Sequence, residues 1–213
     1  IRDRAGEQSL SNFVSAIQNQ TPPGSLCQYN SADTQALGML LTAATGRTLS
    51  DYMFEKISQP LGMESPGYWL LDSAGMEMAL GGLNLTARDF AKIGELYRLN
   101  GRWGDKQVVP ENWVQASVVS DAPHLHTGQV IVGGHTFPFG YGYQWWVPAG
   151  NDGEFSAIGV YNQFVYVDPK RNNVIVKLSA NRRYGISADE ADNREECTLA
   201  FLRALSGAVS TTD

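Results

Sequence analysis

Gln28-Tyr29-Asn30-Ser31-Ala32-Asp33-Thr34-Gln35-Ala36-Leu37-Gly38 is the stretch on which the fold turns. It joins a short segment, Leu26 to Ser31, to a helical pattern through Ala36, Leu37, Met39, Leu40 and Leu41, closed by Gly46. A tyrosine therefore stands just before a helix start, where an ordinary core role is its default reading. Upstream, Leu10, Phe13, Val14 and Ile17 recur at spacings of three and four and predict an amphipathic helix, broken by Thr21-Pro22-Pro23-Gly24. Downstream, Thr48 with Asp51 forms a capping-box pattern for a third helix through Tyr52, Met53, Phe54 and Ile57, stopped by Pro60 and Gly62.

The pattern loosens, then changes period. Gly67 to Leu83 reads as loop with short extended pieces around Gly81-Gly82. Thr86 to Asp89 starts a helix that places Phe90, Ile93, Gly94, Leu96, Tyr97 and Leu99 largely on one face, ending at Asn100-Gly101. Pro110 opens a short helix through Trp113 and Val114. From residue 140 the chain is β-prone: Tyr141 to Val147, Phe164 to Val167 and Val174 to Ala180 predict three antiparallel strands. Asp168 to Asn173 forms the last turn of that series, with Asp168-Pro169 as turn chemistry, and Glu190 to Leu205 predicts a closing helix. The expected class is α+β, with a mainly helical lobe over 1–139 and strands plus closing helix over 140–213, one compact unit in the parent protein.

Composition narrows the function. With 213 residues, 43% of them hydrophobic, the chain can bury a real core. A net charge of −6 without a Lys/Arg cluster excludes a nucleic-acid surface. No apolar run approaches the roughly 20 residues that span a bilayer. The opening Ile1-Arg2-Asp3-Arg4 carries neither initiator Met nor signal pattern, as a processed or truncated product would. Cys27 and Cys197 have no metal-type spacing and read as two buried free thiols, a disulfide being the other reading.

The common chemical motifs fail. There is no G-x-S-x-G, no G-x-x-x-x-G-K-[ST] and no G-x-G-x-x-G. His124, His126 and His135 share one Gly-rich segment, with only Asp121 near enough to help bind zinc, and read as a solvated loop; no metal or cofactor is expected. Adjacent carboxylates at Asp189-Glu190 and Glu195-Glu196 point apart on a helix, which favours a solvated face over an acid/base dyad.

The decisive stretch, followed by Gly46-Arg47-Thr48, Tyr52 and Pro60-Leu61-Gly62-Met63, resembles the second motif of the serine β-lactamase and penicillin-binding-protein superfamily. The resemblance continues through Gly81-Gly82-Leu83-Asn84-Leu85-Thr86-Ala87-Arg88-Asp89, Tyr141-Gly142-Tyr143-Gln144-Trp145-Trp146 and Gly159-Val160-Tyr161-Asn162-Gln163 to Val167-Asp168-Pro169. It covers nearly the whole chain, about Ser25 to Leu205, and is closest to the branch of esterases and 6-aminohexanoate-dimer hydrolases, which shares Tyr-x-Ser. It implies a β-lactamase/transpeptidase-like fold whose N-terminal part is missing here. It also implies acyl-enzyme chemistry on a small ester or amide without a cofactor, in a periplasmic or secreted setting.

By the same resemblance, Tyr29 matches the proton-transferring Tyr and Ser31 a substrate-side position. Ala157-Ile158-Gly159 falls where the family carries Lys-Thr-Gly or His-Thr-Gly, with the cation and hydroxyl both absent. That departure favours substrates with less charge than a penicillin. Gly159 would keep the backbone close, the Val160 N–H would be the strand-side oxyanion donor, and Ile158, Gly159 and Tyr161 would face the substrate. Tyr161 and Gln163 read equally as cleft lining and strand packing, and at most one of Trp145 and Trp146 can face a ligand. His126-Thr127-Gly128 precedes the Trp145-Trp146 strand and is coincidence.

The nucleophile is not in this sequence. Three residues before Lys56, Lys92, Lys106, Lys170 and Lys177 stand Met53, Asp89, Trp103, Val167 and Val174, so no Ser-x-x-Lys exists. The family places that motif upstream of the Tyr motif, so the chain alone is expected to be inactive, with the missing N-terminal part of its own fold as a partner. An uncovered sheet edge would then favour self-association. Two other readings stand beside this one: a non-catalytic binding or regulatory module of the same fold, and a Trp-rich carbohydrate-binding module.

Overall fold

The computed structural model describes residues 9–150 and 152–209; the Ile1-Arg2-Asp3-Arg4 opening lies outside them. By its contacts the chain forms two compact units. One joins the chain up to Pro23 with Asn30–Thr86, and the other joins Gly24–Tyr29 with everything from Ala87 on. This division follows packing, whereas the boundary read at 139/140 follows the change of hydrophobic period.

In the first unit, short polar side chains set the helix starts. Ser9 caps α1 (Leu10–Ser15), its hydroxyl accepting from the Asn12 N–H. Asn30 caps α2 (Ser31–Thr45), its Oδ1 accepting from the Ala32 N–H at 3.0 Å, and Gly46 ends that helix at φ 65°. Gln35, 1% exposed, ties α2 to the following loop by donating to the Glu77 carbonyl at 3.0 Å. Thr48 caps α3 (Leu49–Met53) as the capping-box pattern requires. The helix expected to continue through Ile57 instead widens into a π-helical turn, Phe54–Ser58. Pro60 lacks the N–H that would meet the Lys56 carbonyl, so the regular ladder cannot continue. Within the loop that follows, β1 (Tyr68–Trp69) pairs with β2 (Leu83–Asn84).

The second unit is a sheet with a helix on each face. It comprises α4 (Ala87–Arg98), the hairpin β3 (Arg102–Trp103) and β4 (Lys106–Gln107), α5 (Glu111–Ser117), and the hairpin β5 (Ile131–Val132) and β6 (His135–Thr136). Five strands follow: β7 (Gly140–Tyr141), β8 (Trp146–Val147), β9 (Phe155–Gly159), β10 (Gln163–Asp168) and β11 (Asn173–Lys177). They form one antiparallel sheet in the order β11-β10-β9-β8-β7. The chain closes with α6 (Glu190–Asn193) and α7 (Glu195–Val209).

Alternation along β10 separates the two cores. Phe164 and Tyr166 join Trp146, Leu199 and Leu202 on the α7 side, while Val167 joins Trp145 and Phe155 on the side of Tyr97 from α4. Both tryptophans are buried, on opposite faces as strand geometry demands. Three strands were legible and five are present. Tyr141–Val147 is not one strand, because Gln144 turns the chain at φ 67°. β9 escapes a periodicity reading because Phe155 and Ser156 are both buried and Ser156, Ala157 and Gly159 are small. The closing helix is likewise broken, at Arg194 with φ 60°.

α4 lies close to the sheet only because residue 94 has no side chain. A Cβ there would stand 2.7 Å from a Val174 methyl and 3.0 Å from a Val165 methyl. Gly94→Ala gains helix propensity of about 1 kcal/mol but overpacks a rigid layer, a cost of about 1–3 kcal/mol. A net loss of up to about 2 kcal/mol is expected in urea unfolding, with unchanged m-value.

Both cysteines are free. Cys27 is half-buried, but Cys197 is exposed, against the expectation of two buried thiols, because its position faces outward from α7. Among the described residues no helix is long and apolar enough to cross a membrane.

Candidate active site

The segment carrying Tyr29 is held by backbone pairing to β5. The Tyr29 N–H donates to the Ile131 carbonyl at 2.8 Å, and the Ile131 N–H donates to the Cys27 carbonyl at 2.9 Å. The Tyr29 ring lies tilted on Trp146 with centroids 5.2 Å apart and edge-on to Tyr141 at 5.8 Å. Its residue is 36% exposed, so the ring is packed on one side and reachable on the other. Burial pushes the Tyr29 phenol above its ordinary range, and burial raises that of Tyr141 further, with the Tyr29 and Cys27 charges adding to it.

The other half of the site is the tip of the β9–β10 hairpin. Gly159 pairs with Gln163, leaving Val160, Tyr161 and Asn162 as the connection. Tyr161 and Asn162 both take left-handed backbone, φ 64° and 69°, a conformation Asn tolerates and Tyr adopts at a cost. Val160 is 60% exposed. Among the described residues, no acceptor takes the Val160 N–H. The Tyr184 ring meets Tyr161 at 6.4 Å.

Each expected site residue can now be located. Tyr29, Ile158, Gly159, Val160 and Tyr161 share the second unit, whereas Ser31 opens α2 in the first. The Ile158 side chain packs on the core beside Trp146 and Phe164, which leaves its backbone alone for any substrate. A Cβ at Gly159 would meet nothing of this chain closer than 3.6 Å, so no internal contact requires glycine there. Gln163 turns back on the tip, its amide donating to the Val160 carbonyl at 3.3 Å. Among the described residues no group of three or more His, Cys, Asp or Glu side chains could hold a metal ion. A cavity of about 640 Å³ in the first unit is lined by Met53, Phe54, Trp69 and Leu85 among others, and by none of these site residues.

Sequence reasoning missed two neighbours, because their partners lie beyond the one helical turn that local spacing reports. Glu195 is 9% exposed rather than on a solvated face, and accepts from the Tyr184 hydroxyl at 2.6 Å. Glu190 caps α7, accepting from the N–H groups of Glu195, Glu196 and Cys197 at 3.0, 3.2 and 2.9 Å. Burial raises the Glu195 carboxyl pKa, so its favourable contribution to stability is present below the unfolded carboxylate value of about 4.3 and is lost as pH rises through the folded value. Glu195→Gln keeps an acceptor for Tyr184 without a buried charge. Its denaturant midpoint is expected above wild type at pH 7, with the gap closing as the buffer is acidified to about pH 4.

The Beta-lactamase family model covers residues 2–197, and the chain belongs to that family. It is 32% identical over 173 residues to the 6-aminohexanoate-dimer hydrolase of Paenarthrobacter ureafaciens, covering 79% of this chain and 42% of that protein. A Bacillus anthracis structure provisionally named as a 6-aminohexanoate-dimer hydrolase superposes with a TM-score of 0.78 at 28% identity, over 97% of this chain and 51% of that one. A penicillin-binding-protein homologue from Caulobacter crescentus shares the fold, with a TM-score of 0.63 at 13% identity over 80% of this chain and 57% of that one. The chain thus spans about half the length of the relatives it matches, and its fold is β-lactamase/transpeptidase-like.

Proposed function

We propose that this chain supplies the tyrosine and the strand-side oxyanion donor of a serine hydrolase that cleaves esters or amides through an acyl-enzyme. The nucleophilic Ser and its Lys would come from polypeptide outside the present sequence. The reading is carried by one observation: a half-exposed Tyr29 and the untaken N–H of Val160 occur in the same compact unit.

A neutral phenol of raised pKa is a weak base, so Tyr29 needs a cation beside it before it can take a proton from a serine hydroxyl. A Ser-x-x-Lys lysine would meet that need. The serine then attacks the acyl carbon, the carbonyl oxygen becomes an oxyanion, and Val160 N–H with the serine's own N–H stabilises it. Tyr29 returns the proton to the leaving alcohol or amine, and water hydrolyses the acyl-enzyme by the reverse relay. With no cation at Ala157-Ile158-Gly159, ester or amide substrates that carry less charge around the scissile bond suit the site better than carboxylated β-lactams.

The test compares the full-length parent polypeptide and this chain on a chromogenic short-chain ester, an aminohexanoate dimer and a chromogenic cephalosporin. Turnover by the parent and none by the chain alone is expected. Activity of the chain alone would overturn the proposal. The missing cation favours a second reading, a non-catalytic module of the same fold. A parent that lacks Ser-x-x-Lys and turns over none of the three would establish it. On the first reading the edge strand β11 is covered in the parent, and the isolated chain self-associates through it, as light scattering against concentration would reveal.

A further inference from the structure

The proposed oxyanion donor lies on a three-residue hairpin tip, and such tips are ordinarily the least fixed part of a sheet. This one is bolted down from behind. Asn162 is 3% exposed, and its side chain carries four hydrogen bonds reaching two other elements and the link between α6 and α7. Its Nδ2 donates to the carbonyls of Asn193 and Arg194 at 2.9 and 3.1 Å, at the break between the helices. Its Oδ1 accepts from Thr198 Oγ1 of α7 at 2.8 Å and from Lys177 Nζ of β11 at 2.7 Å. Lys177 also donates to the Asn162 main-chain carbonyl at 2.9 Å. On the far side, the Asn181 N–H donates to the Tyr161 carbonyl at 3.2 Å.

We infer that Asn162 is a positioning residue, which fixes the left-handed Tyr161-Asn162 turn so that the Val160 N–H points where an oxyanion would form. This rests on the proposed function for its catalytic meaning, though not for its structural one. Holding two consecutive non-glycine residues at positive φ costs energy, most of it at Tyr161, which further bonds to the tip offset. The side-chain amide provides the compensating bonds, and asparagine is the residue type that both tolerates that backbone and presents donor and acceptor together. At the Arg194 break the Asn193 carbonyl takes its bond from Nδ2, and the Arg194 carbonyl accepts from both Nδ2 and the Thr198 N–H at 3.0 Å.

Asn162→Gly separates the two contributions, because glycine accepts the backbone angle but makes none of the four bonds. Lys177→Met removes only the β11 tether and serves as the milder variant should Asn162→Gly fail to fold. Two readouts are needed. In this chain, amide exchange at Asn181 reports the tip directly, and a rise of at least about tenfold is expected with Val165 and Val176 protection unchanged. In the full-length polypeptide, kcat should fall about 10- to 100-fold with KM within about threefold, since the donor is displaced and not removed. Unchanged Asn181 exchange in both variants overturns the inference whatever the activity. Faster exchange with unchanged kcat in an active parent also overturns it while leaving the proposed function intact. Faster exchange in a parent that hydrolyses nothing overturns the proposed function, and the positioning role with it.

Discussion

Tyr29→Phe in the full-length polypeptide is expected to lower kcat by about 10²- to 10⁴-fold, the range that a general acid–base group contributes. The ring packing on Trp146 and Tyr141 survives the change, because phenylalanine fills the same space at the same centroids. Among the described residues the phenol hydroxyl makes no hydrogen bond, so the fold should lose almost nothing. Thermal midpoint and KM should therefore stay near wild type while turnover collapses. The pH profile adds a second signature. Burial holds the Tyr29 phenol above its ordinary value in this chain, and an adjacent lysine ammonium would bring it down. Activity should rise with pH through the lowered value in the parent. Spectroscopic titration of this chain alone, read as the difference from its Tyr29→Phe variant, should find the Tyr29 phenol ionising only at more alkaline pH.

Asp168→Ala is expected to cost about 3–5 kcal/mol of stability, the range for breaking a buried charged network by removing one partner. Asp168 is fully buried at the end of β10. Its Oδ1 accepts from the Arg171 N–H at 3.1 Å, and its Oδ2 accepts from Arg171 Nη1 at 3.0 Å and Ser206 Oγ at 2.7 Å. The same carboxylate thus shapes the β10–β11 turn and ties it to α7. The sequence reading of Asp168-Pro169 as turn chemistry identified only the first of these tasks. Because whole domains are stable by only about 5–15 kcal/mol, the substitution should leave little folded protein at 37 °C. Guanidinium unfolding at 25 °C measures it, with Asp168→Asn as the milder variant that keeps the shape.

What could be read from the sequence was local. Asn30 before α2, Thr48 before α3 and Gly46 after α2 act within a few residues of themselves, so their types announced their roles. The ordered resemblance from Tyr29 to Pro169 carried the fold, which no single motif did. What stayed hidden was non-local. Glu195, Asn162 and Tyr184 draw their roles from partners 11 to 36 residues away in the chain, and nothing in their immediate neighbours marks them. β9 stayed hidden for a different reason: a strand buried on both faces with small residues shows no alternation. The one available hint was Asn162 in a turn, a residue type suited to left-handed backbone.

The central claim is that the phenol of Tyr29 serves a serine outside this sequence. Treating the full-length polypeptide with a slowly deacylating activated ester, and mapping the attached acyl group by peptide mass spectrometry, tests it most directly. One acyl group should appear, on the serine of a Ser-x-x-Lys preceding Ile1, and its appearance should slow by at least about 100-fold in Tyr29→Phe. A label on any residue from 1 to 213, or labelling at the wild-type rate without the phenol, would contradict it.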